Sequence, residues 1–386
     1  QKTAYEIPLR LVGSEMCIRD SNQTDTRVIT TGVPFLLIAS DARAASMGDM
    51  GVATSVDTYS QYWNPSKYVF SETRSGFGLS YTPYLSKLVN DISLGNLTYF
   101  NRINERSAFA VSLRYFSLGE IEIVQDEFSE ALIEKPNELT MDISYAIRLA
   151  DQFSMGVALR YLRSDLRIQS VDDTAKAASS YAVDISAFFQ GEEQRYGDID
   201  GRWRAGAIIQ NLGPKIKYDD SGSETFLPTN LRFGGGFDFL LDQYNKVAVT
   251  AEFTKLLVPT PPLYNSENEI IARKDPNVSV VSGIFQSFSD APDGFSEELR
   301  EINLSFGTEY WYAQQFALRG GYFYEHDTKG GRKFFTFGAG VKYNVFALDF
   351  SYLINASRTI NGTNPLANTM RFTMIFDIGA LQQEGI

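Results

Sequence analysis

From about residue 76 to the end, the chain is written in segments of roughly ten residues in which apolar and polar side chains alternate strictly. "LTMDISYAIRL" is the clearest. Leu139, Met141, Ile143, Tyr145, Ile147 and Leu149 fall on one side; Thr140, Asp142, Ser144, Ala146 and Arg148 fall on the other. A helix would scatter these residues around its circumference, whereas a strand separates them into two faces. Phe153 to Tyr161, Phe346 to Asn355 and Thr369 to Ile378 repeat the pattern. Such segments begin near residues 76, 91, 107, 139, 152, 181, 202, 230, 246, 301, 315, 333, 345 and 369. About fourteen strands of this length and pattern read as an all-β fold, an antiparallel transmembrane β-barrel.

Connection lengths agree with a closed barrel, which has short turns on one rim and long loops on the other. Short connections are expected at residues 103–106, 150–151, 241–245, 312–314 and around 344, with a longer one at 191–201. Long ones are expected at 117–138, 163–180, 212–229, 256–300 and 356–366. No apolar run reaches the length of a membrane helix, which says nothing about strands that average their two faces. Arg114, Asp142, Arg148, Arg160, Asp184, Glu252, Glu309, Arg319, Asp349, Arg371 and Asp377 fall on the polar face. They would line the interior of a barrel; taken singly, each is most simply a charge-balancing residue.

The net charge of -12 argues against a nucleic-acid partner, which needs basic patches. The single cysteine, Cys17, excludes an internal disulfide and a cysteine-rich metal site. No cofactor motif is present: "GGRKF" and "FGGGF" sit in turn or strand contexts. Asp290, Asp293, Glu297 and Glu298 match no metal-binding loop and read as solvated. The one histidine, His326, is the sole candidate general base, flanked by Glu325 and Asp327. Neighbours on a strand point to opposite faces and no serine stands beside it, so a non-enzymatic role is expected. Gln1 and Lys2 lead into no secretory signal, as in either a processed or a cytoplasmic chain.

Ahead of the strands, "DARAASMGDMGVATSVDTYSQYWNPS" is short, small-residued and helix-like. Ser40 or Asp41 can cap a helix through Met47, ended by Gly48. A second turn is expected from Ser55 towards Tyr62, stopping at Asn64 before Pro65. Such a segment before the first strand is expected on the periplasmic side, folded into the lumen as a plug carrying Arg43, Met47, Gly48, Trp63, Asn64 and Pro65. In the longest loop, Asp275 and Pro276 form a helix start. Val278, Val281, Phe285 and Phe288 then recur as an apolar stripe, and a second start follows before Phe295. That stripe either folds over the barrel mouth or stands as an exposed ridge for a partner.

The Asp41 to Ser66 stretch resembles the N-terminal signature of FadL-like outer-membrane barrels. "TGVPFLLIASDARAASMGD", "NLGPKIKY", "LPTNLRFGGGFDF" and "SVVSGIFQSFSDAPDGFSEELREI" resemble the narrower PorV branch of Bacteroidetes. The resemblance covers residues 28–378. It implies a fourteen-stranded barrel of the bacterial outer membrane with its loops at the cell surface. It also implies a part in type IX protein secretion: binding the conserved C-terminal signal domain of cargo, and association with a giant SprA-like translocon barrel. Delivery to a surface attachment complex with a PorU-like sortase is implied too. Membrane lipids or lipopolysaccharide would surround it. Ile284, Phe285, Phe288 and Phe295 are the candidate partner-binding residues. The division expected is a disordered or artefactual tail at 1–27, a plug at 28–75, a barrel at 76–378 and a periplasmic tail at 379–386. The stretch from Ala4 to Ser21 matches nothing in that family and resembles an adapter-derived peptide. The competing reading is a FadL-type channel for hydrophobic small molecules.

Overall fold

The computed structural model describes residues 27–84, 91–123, 132–167, 176–218, 224–261, 263–264, 270–272, 277–356 and 368–378. Cys17, Asp275, Pro276 and the last eight residues lie outside them.

The described chain forms one large antiparallel sheet closed on itself, with two small two-stranded sheets in the long loops (Ile121–Ile123 with Leu132–Glu134, and Leu263–Tyr264 with Ile270–Ala272). Its long strands are β1 (Ser75–Pro83), β2 (Ser93–Arg102), β3 (Ser107–Ser117), β4 (Asn137–Ala150) and β5 (Phe153–Asp165). Then come β6 (Ala178–Gln190), β7 (Ile199–Leu212), β8 (Asn230–Leu240), β9 (Asn245–Leu256) and β10 (Ile302–Tyr312). The series ends with β11 (Phe316–Tyr324), β12 (Lys333–Tyr343), β13 (Phe346–Asn355) and β14 (Met370–Phe376). Each pairs with its sequence neighbour, and β14 pairs with β1 in the register Phe376↔Phe77, so this sheet of fourteen long strands closes. The three-residue strand Gln194–Tyr196 extends β7 at one rim. Every long strand starts within three residues of the position expected from the alternation.

Burial follows the two-residue period. In β4, Met141, Ile143 and Tyr145 are exposed on the outer wall, while Thr140, Asp142 and Ser144 are buried inside. Polar side chains thus face in and apolar ones out, the reverse of a soluble β-sandwich core. Phe153, Trp203, Tyr312, Phe316 and Tyr343 stand exposed near the rim with short turns, as an aromatic belt does at a membrane interface. Tight turns there use left-handed residues: Ala313, Gln314 and Asn344 have φ of 52°, 55° and 51°.

The lumen is filled by the chain itself. From Arg27 the segment passes through a 3-10 turn (Pro34–Leu37), α1 (Ala42–Ala45), α2 (Ser60–Trp63) and a second 3-10 turn (Pro65–Phe70) before β1. Nearly all of residues 32–71 are buried. The segment begins at the long-loop rim, where Arg27 N–H donates to Thr328 O at 2.9 Å. It ends at the short-turn rim, where Arg102 donates to Ser71 O at 2.6 Å. It therefore runs the full height of the barrel, rather than occupying only the side expected from its place before β1. The reason is the count of partners: inward groups at every level of the wall bond to it.

Two local expectations change. The second helix starts at Ser60, five residues later than expected, because Ser55 and Asp57 are engaged by Arg43, and Ser60 Oγ donates back to Asp57 at the helix start. Asn64 ends that helix but not the helical path. Its side-chain oxygen accepts from Ser66 N–H, and Pro65, whose φ suits a first helical position, opens a new 3-10 turn. In the long loop, α3 (Val280–Gln286) is capped by Ser279 rather than by a residue four positions earlier, and α4 (Phe295–Arg300) follows.

Candidate functional site

Two regions carry specific chemistry: the contact between lumen segment and wall, and the loop surface at the long-loop rim.

Asp41 caps α1, accepting Ala44 N–H at 2.9 Å, and takes Trp63 Nε1–H at 2.7 Å, so one carboxylate joins the two helical turns. Arg43 extends to the wall. Its Nε and Nη2 donate to the two Glu309 oxygens at 2.8 Å each, and its Nη1 donates to Asp57 at 2.8 Å. Glu309 also accepts from Arg319 Nε at 2.7 Å, and Arg319 Nη1 reaches Asp349 at 2.5 Å. A buried carboxylate between two guanidinium groups satisfies its acceptors with charge-assisted bonds, which offsets its desolvation. Elsewhere Arg160 bonds Asp142 and Asp184, Arg204 bonds Asp238, and Arg232 bonds Glu252. These interior charges are paired, whereas Arg114 donates to the Phe35 and Ile38 carbonyls, Lys67 to the Gly51 carbonyl, and Glu138 accepts from the Ser164 hydroxyl. Arg148 alone of the expected inward set is half-exposed, near the short-turn rim.

Wall glycines let the segment sit against the strands. A Cβ on Gly206 would lie 2.1 Å from Val52 O, and one on Gly321 would lie 2.2 Å from the Met47 carbonyl carbon. Gly48 has φ 81° and donates its N–H to Thr336 Oγ1 at 2.8 Å, so its left-handed turn is held by the wall. Trp63 packs against Gly51, where a Cβ would come within 2.4 Å of the indole. Asn64 Nδ2 donates to Val52 O and Ala187 O, both at 3.0 Å. Met47, Gly48, Trp63, Asn64 and Pro65 are all buried in this interior.

Near the long-loop rim the interior is apolar. Val33, Phe35, Leu36 and Ile38 of the segment pack with Tyr84, Leu94, Phe116, Leu162 and Leu227. At the opposite rim a cavity of about 320 Å³ opens, lined by charged Arg43, Asp57, Arg319 and Asp349 and by apolar Phe100 and Trp311 among others.

The loop surface is the second region. Val281, Phe285, Phe288, Phe295 and Leu299 are exposed, Phe285 by 74% and Phe295 by 76%. Ile284 is only half-exposed. The stripe on α3 does not fold into the mouth. On α4 the carboxylates expected to be solvated turn inward instead. Glu297 and Glu298 are buried with Glu301, and Asp290 is buried beside them. Their partners were not legible in the sequence: Arg27, Lys255 and Lys329 lie at least 28 residues away along the chain. Asp293 alone of the acidic set is exposed, while still bonding Arg27 at 2.8 Å.

His326 sits at the same rim as the cap of a 3-10 turn (Asp327–Lys329). Its Nδ1 accepts Thr328 N–H at 3.3 Å and lies 3.0 Å from Thr328 Oγ1. Burial and the nearby Arg300 hold its pKa below the ordinary histidine value. Both Glu325 oxygens are engaged by Arg332 at 2.8 Å, so that carboxylate does not orient the imidazole. Among the described residues no group of three or more histidine, cysteine or acidic side chains is arranged to hold a metal.

Residues 21–263 match the family model described as "Type IX secretion system protein PorV". No curated protein matches the sequence. Among solved structures, the Ralstonia pickettii toluene transporter TbuX is similar with a TM-score of 0.47 at 11% identity, over 89% of this chain and 98% of that one. The Pseudomonas putida toluene transporter TodX gives 0.46 at 11% identity, over 91% and 98%. A Pseudomonas aeruginosa FadL homologue gives 0.43 at 12% identity, over 91% and 99%.

Proposed function

Since the chain belongs to the PorV family of type IX secretion system proteins, an outer-membrane barrel serving protein transport, we propose that it binds the C-terminal signal domain of secreted cargo on the α3–α4 surface. By the general rule of barrel topology the long-loop rim faces the cell exterior, so this surface meets cargo after export. The protein takes cargo from an SprA-like translocon barrel and passes it to an attachment complex with a PorU-like sortase. Its lumen segment stays in place throughout.

One observation carries the reading: beyond the strand ends, Val281, Phe285, Phe288, Phe295 and Leu299 project apolar surface away from the barrel while the acidic side of α4 is buried. Exposed apolar surface of this kind marks an interaction site, and aromatic anchors supply most of the energy at such sites. The alternative, a channel for hydrophobic small molecules, needs an apolar path. Phe35, Leu36 and Ile38 pack the apolar region near the long-loop rim, and the cavity at the opposite rim carries both signs of charge beside its apolar residues. The binding reading is therefore favoured.

The test is capture of a purified cargo C-terminal domain by the detergent-solubilised full chain. Replacing Phe285 and Phe288 with Ser is expected to abolish capture while the barrel keeps its heat-modifiable band on a gel. Undiminished capture would refute this surface. Retention of a fatty acid in the lumen, with no protein partner recovered from native membranes, would favour the channel.

A further inference from the structure

The helix α4 has its sides exchanged. A short surface helix ordinarily turns its carboxylates to water and its apolar residues inward. Here Glu297, Glu298 and Glu301 are buried and Phe295 and Leu299 are exposed. Three cations from three distant parts of the chain hold this orientation. Lys255, at the end of β9, bonds Glu298 at 3.1 Å and Glu301 at 2.6 Å. Lys329, between β11 and β12, bonds Glu297 at 2.6 Å and Glu301 at 2.8 Å. Arg27 comes from the head of the lumen segment. Its Nε and Nη2 donate to the two Glu297 oxygens at 2.8 Å each, and Nη2 also reaches Asp293 at 2.8 Å.

The Arg27 contact differs in kind from the two lysine contacts. A planar guanidinium meeting both oxygens of one carboxylate fixes the rotation of that carboxylate, whereas an ammonium holds only its distance. Glu297 is two residues from Phe295 and from Leu299, on the opposite side of a single helical turn. Fixing its carboxylate fixes the direction in which those apolar side chains project. A second link runs parallel. Phe226 O accepts Gly32 N–H of the lumen segment at 2.8 Å, and the Phe226 ring lies against Gly283 of α3, where a Cβ would come within 2.9 Å. The head of the segment thus touches both helices of the loop surface, directly or through one residue.

We propose that Arg27 is a positioning residue of the cargo-docking surface: the lumen segment, besides filling the barrel, sets the orientation of α4 through the Arg27–Glu297 pair. This rests on the reading that the α3–α4 surface receives cargo.

The experiment compares binding of a purified cargo C-terminal domain to the full chain in detergent. The chains are wild type, Arg27→Gln, Arg27→Lys, Glu297→Gln, Phe295→Ser and the double variant Arg27→Gln/Phe295→Ser. Loss of the bidentate contact is expected to weaken binding by about tenfold or more, with partial recovery in Arg27→Lys. If Arg27 acts by aiming Phe295, the double variant binds no worse than Phe295→Ser alone. Additive losses would mean that Arg27 supports the fold in some other way and would overturn the proposal. Wild-type binding by Arg27→Gln, with Phe295→Ser impaired, would overturn it while leaving the docking surface intact. Wild-type binding by every variant would remove the docking surface itself. Should Arg27→Gln fail to assemble, Glu297→Gln removes the same pair from the other side and is read by the same criteria.

Discussion

Arg43 and Glu309 face each other across the barrel interior in two parallel hydrogen bonds of 2.8 Å, joining α1 of the lumen segment to strand β10. Both side chains are buried, and the same carboxylate also receives Arg319. The pair is the centre of a row of alternating charge, Asp57–Arg43–Glu309–Arg319–Asp349, which crosses from the segment to β11 and β13. Removing the middle anion leaves two buried cations sharing one carboxylate each.

Glu309→Gln is accordingly expected to destabilise the protein by about 3 kcal/mol, the cost typical of breaking a buried ion pair from one side. Urea unfolding in a lipid or detergent host measures it. The loosened segment should also admit ion flow, so planar-bilayer recordings are expected to show current flicker in the variant and a closed wild-type barrel. Wild-type stability and a silent bilayer in Glu309→Gln would contradict this account of the pair.

Gly206 and Gly321 make a second prediction, because the backbone of the segment lies where their side chains would be. Gly206→Val is expected to cost about 2 kcal/mol through overpacking. The outer wall at this position faces away and the strand itself tolerates valine. The loss should therefore appear as faster hydrogen exchange around Val52, not as disruption of β7. Equal exchange in variant and wild type would show that the segment yields more easily than the close approach implies.

The docking loop should respond to pH through Asp290. Burial raises its carboxyl to about 6, against an ordinary value of 3.8, with Glu298 and Glu301 adding to the shift and the Thr260 N–H opposing it. A carboxyl raised in the folded state contributes stability that is present below its ordinary pKa and lost as pH rises through the folded value. Burial also acts on Glu297, but Arg27 and Lys329 outweigh it and hold that carboxyl at about 2. Its contribution is therefore present above its ordinary 4.5 and lost as pH falls towards 2. The exchange protection of the Thr260 and Ala291 amides, which bond Asp290 and Glu298, should decline as pH rises from the ordinary 3.8 to about 6. Asp290→Asn should flatten that decline. A decline persisting unchanged in Asp290→Asn would assign it to another group.

His326→Ala is expected to leave cargo binding and membrane assembly unchanged, because the imidazole serves a single turn of 3-10 helix. Loss of a hydrolytic activity in a correctly assembled variant would return the histidine to consideration as a base.

The barrel was legible because its period is local. Each strand declares two faces within its own ten residues, and closure follows from the number of strands and the asymmetry of their connections. Asp41 and Gly48 were legible for the same reason, as start and stop signals act within one turn. The path of the lumen segment was not. Its direction depends on Arg43 meeting Glu309 and on glycines such as Gly206 and Gly321 lying beside its backbone, all contacts across more than a hundred positions of sequence. Nor was the inversion of α4. "FSEELR" has the composition of a solvated turn, and only the convergence of Arg27, Lys255 and Lys329 makes the inward direction the favourable one for its glutamates.

The position of Arg27 at one rim and Ser71 at the other has a bearing on biogenesis. The chain is threaded through a ring made of its own later strands, and the ring is sealed where β1 meets β14, the first and last strands to be made. Drawing the finished thread through a sealed ring would carry Arg43 and Lys67 bare past an interior of fixed charges. Sealing the seam last, around a thread already laid in place, avoids that passage. The topology therefore favours an order of assembly in which residues 27–71 find their seats along the open wall before β1 zips onto β14.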